Sequence, residues 1–162
     1  MYKKILAPFD SSELSECSVE HIKAIASGCN VPEVVLLTVI ERVVIPFSET
    51  IVTNEAMEQT KQYIERERQT QLKTEEYLNK LASSLSKQCI TVQTTVIPAK
   101  AGQSPADIIL DYVDNNSVDL IIMSTHGRSG AARWAFGSVT DKVMRHSKVP
   151  VLTVAPASCR VS

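Results

Sequence analysis

An excess of charge of either sign is missing from this chain: 17 basic against 18 acidic side chains leave a formal net charge of −1 over 162 residues. Without a basic surplus to neutralise a phosphate backbone, nucleic acid is not expected as a partner. Long apolar runs are missing too. No stretch approaches the ~20 apolar residues of a membrane span, and the start, Met1-Tyr2-Lys3-Lys4-Ile5-Leu6-Ala7, is too short an apolar run for a secretory leader. A cytoplasmic protein with no membrane partner is expected. The four cysteines, Cys17, Cys29, Cys89 and Cys159, form no C-x-x-C pair, which argues against both a disulfide framework and a thiolate metal site. Neither G-x-x-x-x-G-K-[ST] nor G-x-G-x-x-G occurs, so the two commonest phosphate loops are absent.

What is present is apolar content, 44% of residues, enough at this length for one good core. One domain over residues 1–162 is expected. Short β-rich apolar runs recur at Lys4 to Pro8, Val34 to Ile40, Ile90 to Ile97, Leu120 to Met123 and Val149 to Val154. Between them stand helical patterns at Leu14 to Ser27, about Met57 to Ser86, Pro105 to Val113 and Val139 to Arg145. Alternating strand and helix implies an α/β fold with a doubly wound parallel sheet of five buried strands. The unbroken run Val34-Val35-Leu36-Leu37 suits a strand covered by helices on both faces. Residues of about 41–56 have no period and read as an insertion-like loop, and 155–162 as a short tail. The long polar helix that follows the loop sets Ile64, Leu72, Leu78, Leu81 and Leu85 against a charged remainder, the pattern of a surface crossover helix.

The chemistry concentrates after Leu120. A buried strand runs into Gly127, Gly130 and the pair Gly137-Ser138, just before an amphipathic helix, and such a turn can receive phosphate. The spacing Ser124-x2-Gly127-x9-Gly137-Ser138 resembles the G-x2-G-x9-G-[ST] motif of the universal stress protein family, in its ATP-binding branch. The resemblance extends to Lys3-Lys4-Ile5-Leu6-Ala7-Pro8-Phe9-Asp10, Leu36-Leu37-Thr38-Val39-Ile40 and Val149-Pro150-Val151-Leu152-Thr153-Val154. One position departs: Ser124 stands where the family has its first glycine. Serine is small and can donate a hydrogen bond, so the loop is expected to accommodate it.

The resemblance implies a Rossmann-like sheet of order 3-2-1-4-5 and an ATP site, with Mg²⁺ or Mn²⁺ able to bridge the phosphates. It places the ribose on Asp10 and the adenine edge on the backbone of Val39. The candidate binding set is Pro8, Asp10, Val39 and Met123, then Ser124, Thr125, His126, Gly127, Arg128, Ser129, Gly130 and Arg133, and finally Gly137 and Ser138. Gly127 and Gly137 would let backbone N–H groups approach phosphate, and Arg128 and Arg133 are optional charge-assisted donors. No protein metal ligand and no catalytic residue is assigned. His126 lacks a sequence-adjacent nucleophile or carboxylate partner and reads as a packing or hydrogen-bonding residue.

Simpler readings compete. Ser138 with Asp141, and Asp10 through Glu13, could be helix capping boxes, with the glycines merely turning the chain. The function expected is an ATP-binding stress regulator or sensor that signals by occupancy, with at most slow hydrolysis. The alternatives are an ATPase or nucleotidyl-transferring enzyme on the same fold, or a dimeric scaffold that binds no nucleotide. A homodimer through Val149 to Val154 is expected, because an apolar last strand would otherwise leave an open sheet edge.

Overall fold

The computed structural model of the protein describes residues 1–41, 54–86, 90–127 and 136–156. Strand and helix alternate along them as β1 (Lys4–Pro8), α1 (Glu13–Glu16), α2 (Val19–Gly28), β2 (Glu33–Ile40) and α3 (Asn54–Leu85), then β3 (Thr91–Pro98), α4 (Pro105–Asn115), β4 (Leu120–Ser124), α5 (Ser138–His146) and β5 (Val151–Val154). All strand pairs are parallel and the sheet order is β3-β2-β1-β4-β5. This is the doubly wound order expected, with the reversal at β1 and β4.

Each face of the sheet carries its own core. Ile5, Ala7, Val34, Leu36, Leu120 and Ile122 pack under α2 and α3, against Ile22, Ala26, Leu78 and Leu85. Leu6, Val35, Leu37, Ile121 and Met123 pack under α4 and α5, against Ile109, Val113 and Val143. The two-residue period of a strand divides each apolar run between these layers, which is why β1, β2 and β4 read as continuous hydrophobicity.

Three expectations need correction. The helix over Leu14 to Ser27 is two helices, broken at Cys17 and Ser18. Serine hydroxyls compete there for backbone carbonyls: Ser15 Oγ donates to Ser12 O (2.7 Å) and Ser18 Oγ to Ser15 O (2.9 Å). The third strand is not buried, since Thr91, Gln93 and Thr94 are exposed. It is a sheet edge, and a polar edge resists unwanted pairing. As a surface crossover helix would, α3 sends Leu78 and Leu85 into the core and leaves Ile64 and Leu72 58% and 53% exposed. The last strand starts at Val151, leaving Val149 and Pro150 outside it. Most of the insertion-like loop and of the tail lies outside the described residues, as do Cys89 and Cys159.

On the second face, one cluster joins α4 to α5. Ser104 and Asp107 form a reciprocal capping box at the start of α4, and Lys142 of α5 reaches both, at 2.7 Å from Asp107 Oδ1 and 3.2 Å from Ser104 Oγ. Hydrogen bonding from Lys142, and next from Ser104, holds the Asp107 carboxyl down to about 2. A depressed carboxylate stabilises the fold in full above its unfolded pKa and loses that contribution as pH falls through the folded value. Between about pH 5 and pH 3, urea midpoints of Asp107→Asn should therefore fall less with acid than those of the parent. Ile121→Ala, at a fully buried position, should cost about 2–5 kcal/mol by urea denaturation, and Leu72→Ala less than about 0.5 kcal/mol.

Candidate functional site

Loops at the carboxyl ends of β1, β2 and β4 enclose a cavity of about 440 Å³. Parallel α/β sheets place ligands here, where strand order reverses and neighbouring loops diverge. Of the expected residues, Pro8, Asp10, Val39, Met123, Ser124, His126, Gly127, Gly137 and Ser138 line it. Thr125 does not. It is buried behind the wall, where its backbone N–H donates to Val154 O (2.9 Å) and its hydroxyl meets His126 Nδ1 at 2.9 Å. Arg128, Ser129, Gly130 and Arg133 lie outside the described residues.

The two described ends of the glycine loop are tied together. Gly137 N donates to Thr125 O (2.8 Å) and Thr140 Oγ1 to Ser124 O (2.9 Å), so the start of α5 hangs from the end of β4. Ser124 replaces the expected glycine without intruding: its Oγ donates to His126 O (2.7 Å) and accepts from His126 N (3.2 Å). The hydroxyl thus fastens the turn. His126 is buried, in keeping with a hydrogen-bonding loop residue.

Neither capping-box alternative is built. The N-cap of α5 is Gly137, in extended backbone, and no side chain caps the helix. Its first N–H groups have no intrahelical acceptors, and they begin at Ser138, a wall residue. An uncapped N-terminus of this kind concentrates partial positive charge and donors on one spot, suited to an anion. At the other end, α1 is capped by Ser12, whose Oγ accepts from Ser15 N (3.2 Å). Asp10 stands outside that cap. Its Oδ1 accepts from Ser12 N (3.0 Å) and Ser12 Oγ (2.6 Å), which fixes the carboxylate on the cavity wall.

Asp10 and Gly127 are 117 positions apart yet in contact. A Cβ added at Gly127 would overlap Asp10 Oδ2, whereas one at Gly137 would find 3.4 Å to Thr125 O. Gly127 therefore keeps room for the pinned carboxylate, and Gly137 serves chiefly to leave the helix end open.

Sequence reasoning missed one whole wall. Thr70 and Thr74 of α3 line the cavity, with Ser15 of α1 and Thr38 of β2 beside them. On the opposite side Pro105 and Ile109 of α4 join Val39 and Met123 in an apolar floor. The alternation of β2 could have indicated Thr38, a polar residue continuing the buried row of Val34 and Leu36; nothing local marks Thr70 or Thr74. Burial pushes the nearby Tyr77 phenol up, keeping it neutral beside Glu16 and Asp10.

Gly127→Ala should break the Asp10–Ser12 hydrogen bonds and cost about 1–3 kcal/mol of stability. In an Asp10→Ala background the same change should cost almost nothing, because its collision partner is gone. Urea midpoints of the four proteins in that cycle check both statements.

The model of the universal stress protein family matches residues 1–155. Universal stress protein MJ0577 of Methanocaldococcus jannaschii is 32% identical over 157 residues, covering 95% of each chain. The solved structure of MJ0577 superposes with a TM-score of 0.78 at 27% identity, covering 96% of each chain. The same fold occurs in a universal stress protein solved in complex with cAMP, at TM-score 0.59, 19% identity and coverage of 96% and 98%. It occurs again in the Archaeoglobus fulgidus protein solved in complex with dAMP, at TM-score 0.52, 18% identity and coverage of 94% and 97%. With this match along nearly its whole length and the strand order that accompanies it, the chain belongs to the universal stress protein family.

Proposed function

We propose that this protein binds an adenine nucleotide, ATP foremost, in the cavity above β1, β2 and β4, and acts as a stress-response regulator that signals by occupancy. The observation that carries the reading is the α5 N-terminus: a glycine-capped helix end with no capping side chain, opening on the cavity that Asp10 also lines. The phosphates take the Gly127 to Ser138 loop and the helix end. Val39, Met123, Pro8 and Ile109 offer an apolar slot for the base, with the Val39 backbone reading its edge and the Asp10 carboxylate accepting from ribose hydroxyls. Two proteins of this fold, solved with cAMP and dAMP, support adenine nucleotides as the ligand class.

Among the described residues no three His, Cys, Asp or Glu side chains gather to hold a metal. A Mg²⁺ or Mn²⁺ ion would sit on the phosphates it bridges and neutralise part of their charge. Among the described residues no helix is long and apolar enough to cross a membrane. β5 ends the sheet with Val151, Leu152 and Thr153 only partly buried, and we assign this edge to a homodimer contact.

Gly137→Asp separates binding from folding. The N-cap backbone is extended and the added Cβ has room, and aspartate is a preferred N-cap residue. The thermal midpoint should hold or rise while the carboxylate occupies the place of the phosphates. Calorimetric titration should show ATP affinity falling at least about tenfold; unchanged affinity removes the site assignment. Phosphate release at about 1 per second or faster would make the protein an enzyme rather than a sensor. In sedimentation at micromolar concentration, a species of twice the 17.8 kDa chain mass is expected, and monomer alone refutes the β5 contact.

A further inference from the structure

At its carboxyl end β2 sends neighbouring side chains to opposite faces of the sheet. Val34 and Leu36 lie in the core under α2 and α3, Val35 and Leu37 in the core under α4 and α5. The strand period carries Thr38 to the first side and Val39 to the second. On the side of Thr38 the cavity wall is made of hydroxyl residues, Ser15, Thr38, Thr70 and Thr74. Three of these have committed their protons within their own helical turns: Ser15 Oγ donates to Ser12 O (2.7 Å), Thr70 Oγ1 to Arg66 O (2.8 Å) and Thr74 Oγ1 to Thr70 O (2.8 Å).

Thr38 is different. It is 3% exposed, lines the cavity, and its Oγ1 has no hydrogen-bond partner among the described residues. A buried hydroxyl left without a partner destabilises the fold. Valine has the same shape, favours strands at least as well, and carries no such oxygen. The hydroxyl is therefore kept at a cost to the empty protein, and a group from outside the chain can offset that cost.

Charge narrows what that group is. Apart from His126, the ionisable residues among the described lining are Asp10 and Glu41, both acidic. The wall of Ser15, Thr38, Thr70 and Thr74 carries no cationic side chain, so the anionic part of a ligand belongs at the α5 terminus. What suits a wall of hydroxyls beside a carboxylate is a neutral group that both donates and accepts, which in a nucleotide is the sugar. We propose that Thr38 is a specificity-determining residue whose Oγ1 bonds a sugar hydroxyl of the bound nucleotide and, with Asp10, selects ribonucleotides over deoxyribonucleotides. The inference rests on the nucleotide reading above and names the part of the ligand that this wall reads.

The test compares the affinities of ATP and 2′,3′-dideoxy-ATP, by calorimetric titration, for the parent chain, Thr38→Val and Thr38→Ser. The parent should prefer ATP. Thr38→Val should narrow the preference by about 3–10-fold through loss of ATP affinity alone, with a thermal midpoint no lower than the parent's. Thr38→Ser keeps the oxygen and should keep the preference, even where the lost methyl lowers the midpoint. An unchanged ratio in Thr38→Val, or an equal loss for both nucleotides, overturns the role of Thr38 and leaves the nucleotide site standing. Failure of the parent to bind either nucleotide overturns both.

Discussion

β1 and β2 bury both of their faces, and because they run parallel no hairpin can join them; each return must cross over as a helix. Two cores result, one under α2 and α3 and one under α4 and α5, and Ile5, Leu6, Val35 and Leu36 divide between them with essentially no exposure. With β1 in the centre of the sheet, the chain leaves one side through β2 and β3 and returns on the other through β4 and β5. The loops after β1 and β4 must then part, one toward α1 and the other toward α5. The cavity is the space between them, and its position follows from two-sided burial rather than from any residue that lines it.

Within that space the walls are unlike each other. One end is a helix terminus left open by Gly137, a concentration of donors and partial positive charge. Asp10 stands against Gly127, hydroxyls from α1, β2 and α3 make a second wall, and α4 supplies an apolar floor with Val39 and Met123. A ligand with an anionic end, a hydroxyl-bearing middle and a flat apolar portion can satisfy all three at once. Loops that must shape such a site need rigidity, and it comes from short-range hydroxyl bonds. Ser12 locks Asp10, Ser124 folds back on His126, and Thr140 ties α5 to β4.

Family membership fixes less than this geometry does. One fold can host many activities, so function has to be argued from the site. Ser124, in place of the family's glycine, shows how a substitution inside a motif can be structural in effect: the side chain that might have crowded the loop instead closes it.

The layer architecture was legible in the amino-acid sequence because its signals are local, continuous apolar runs with helical periods between them, whereas the strand order came only through the family resemblance. Asp10 and Ser138 were legible through the family resemblance, though their alternative reading as parts of capping boxes could be discarded only with the caps in view. The break at Cys17 and Ser18 was harder, since serine hydroxyls and the helix backbone compete on nearly equal terms. The exposed edge at β3 depended on which strand the fold leaves outermost. Contact of Asp10 with Gly127, and the hydroxyl wall that brings Thr38 together with Thr70 and Thr74, were decided by tertiary structure alone. Those residues lie tens of positions apart, and which side chains share a cavity depends on how α3 and the β4 loop pack across the sheet, a relation that no local pattern encodes.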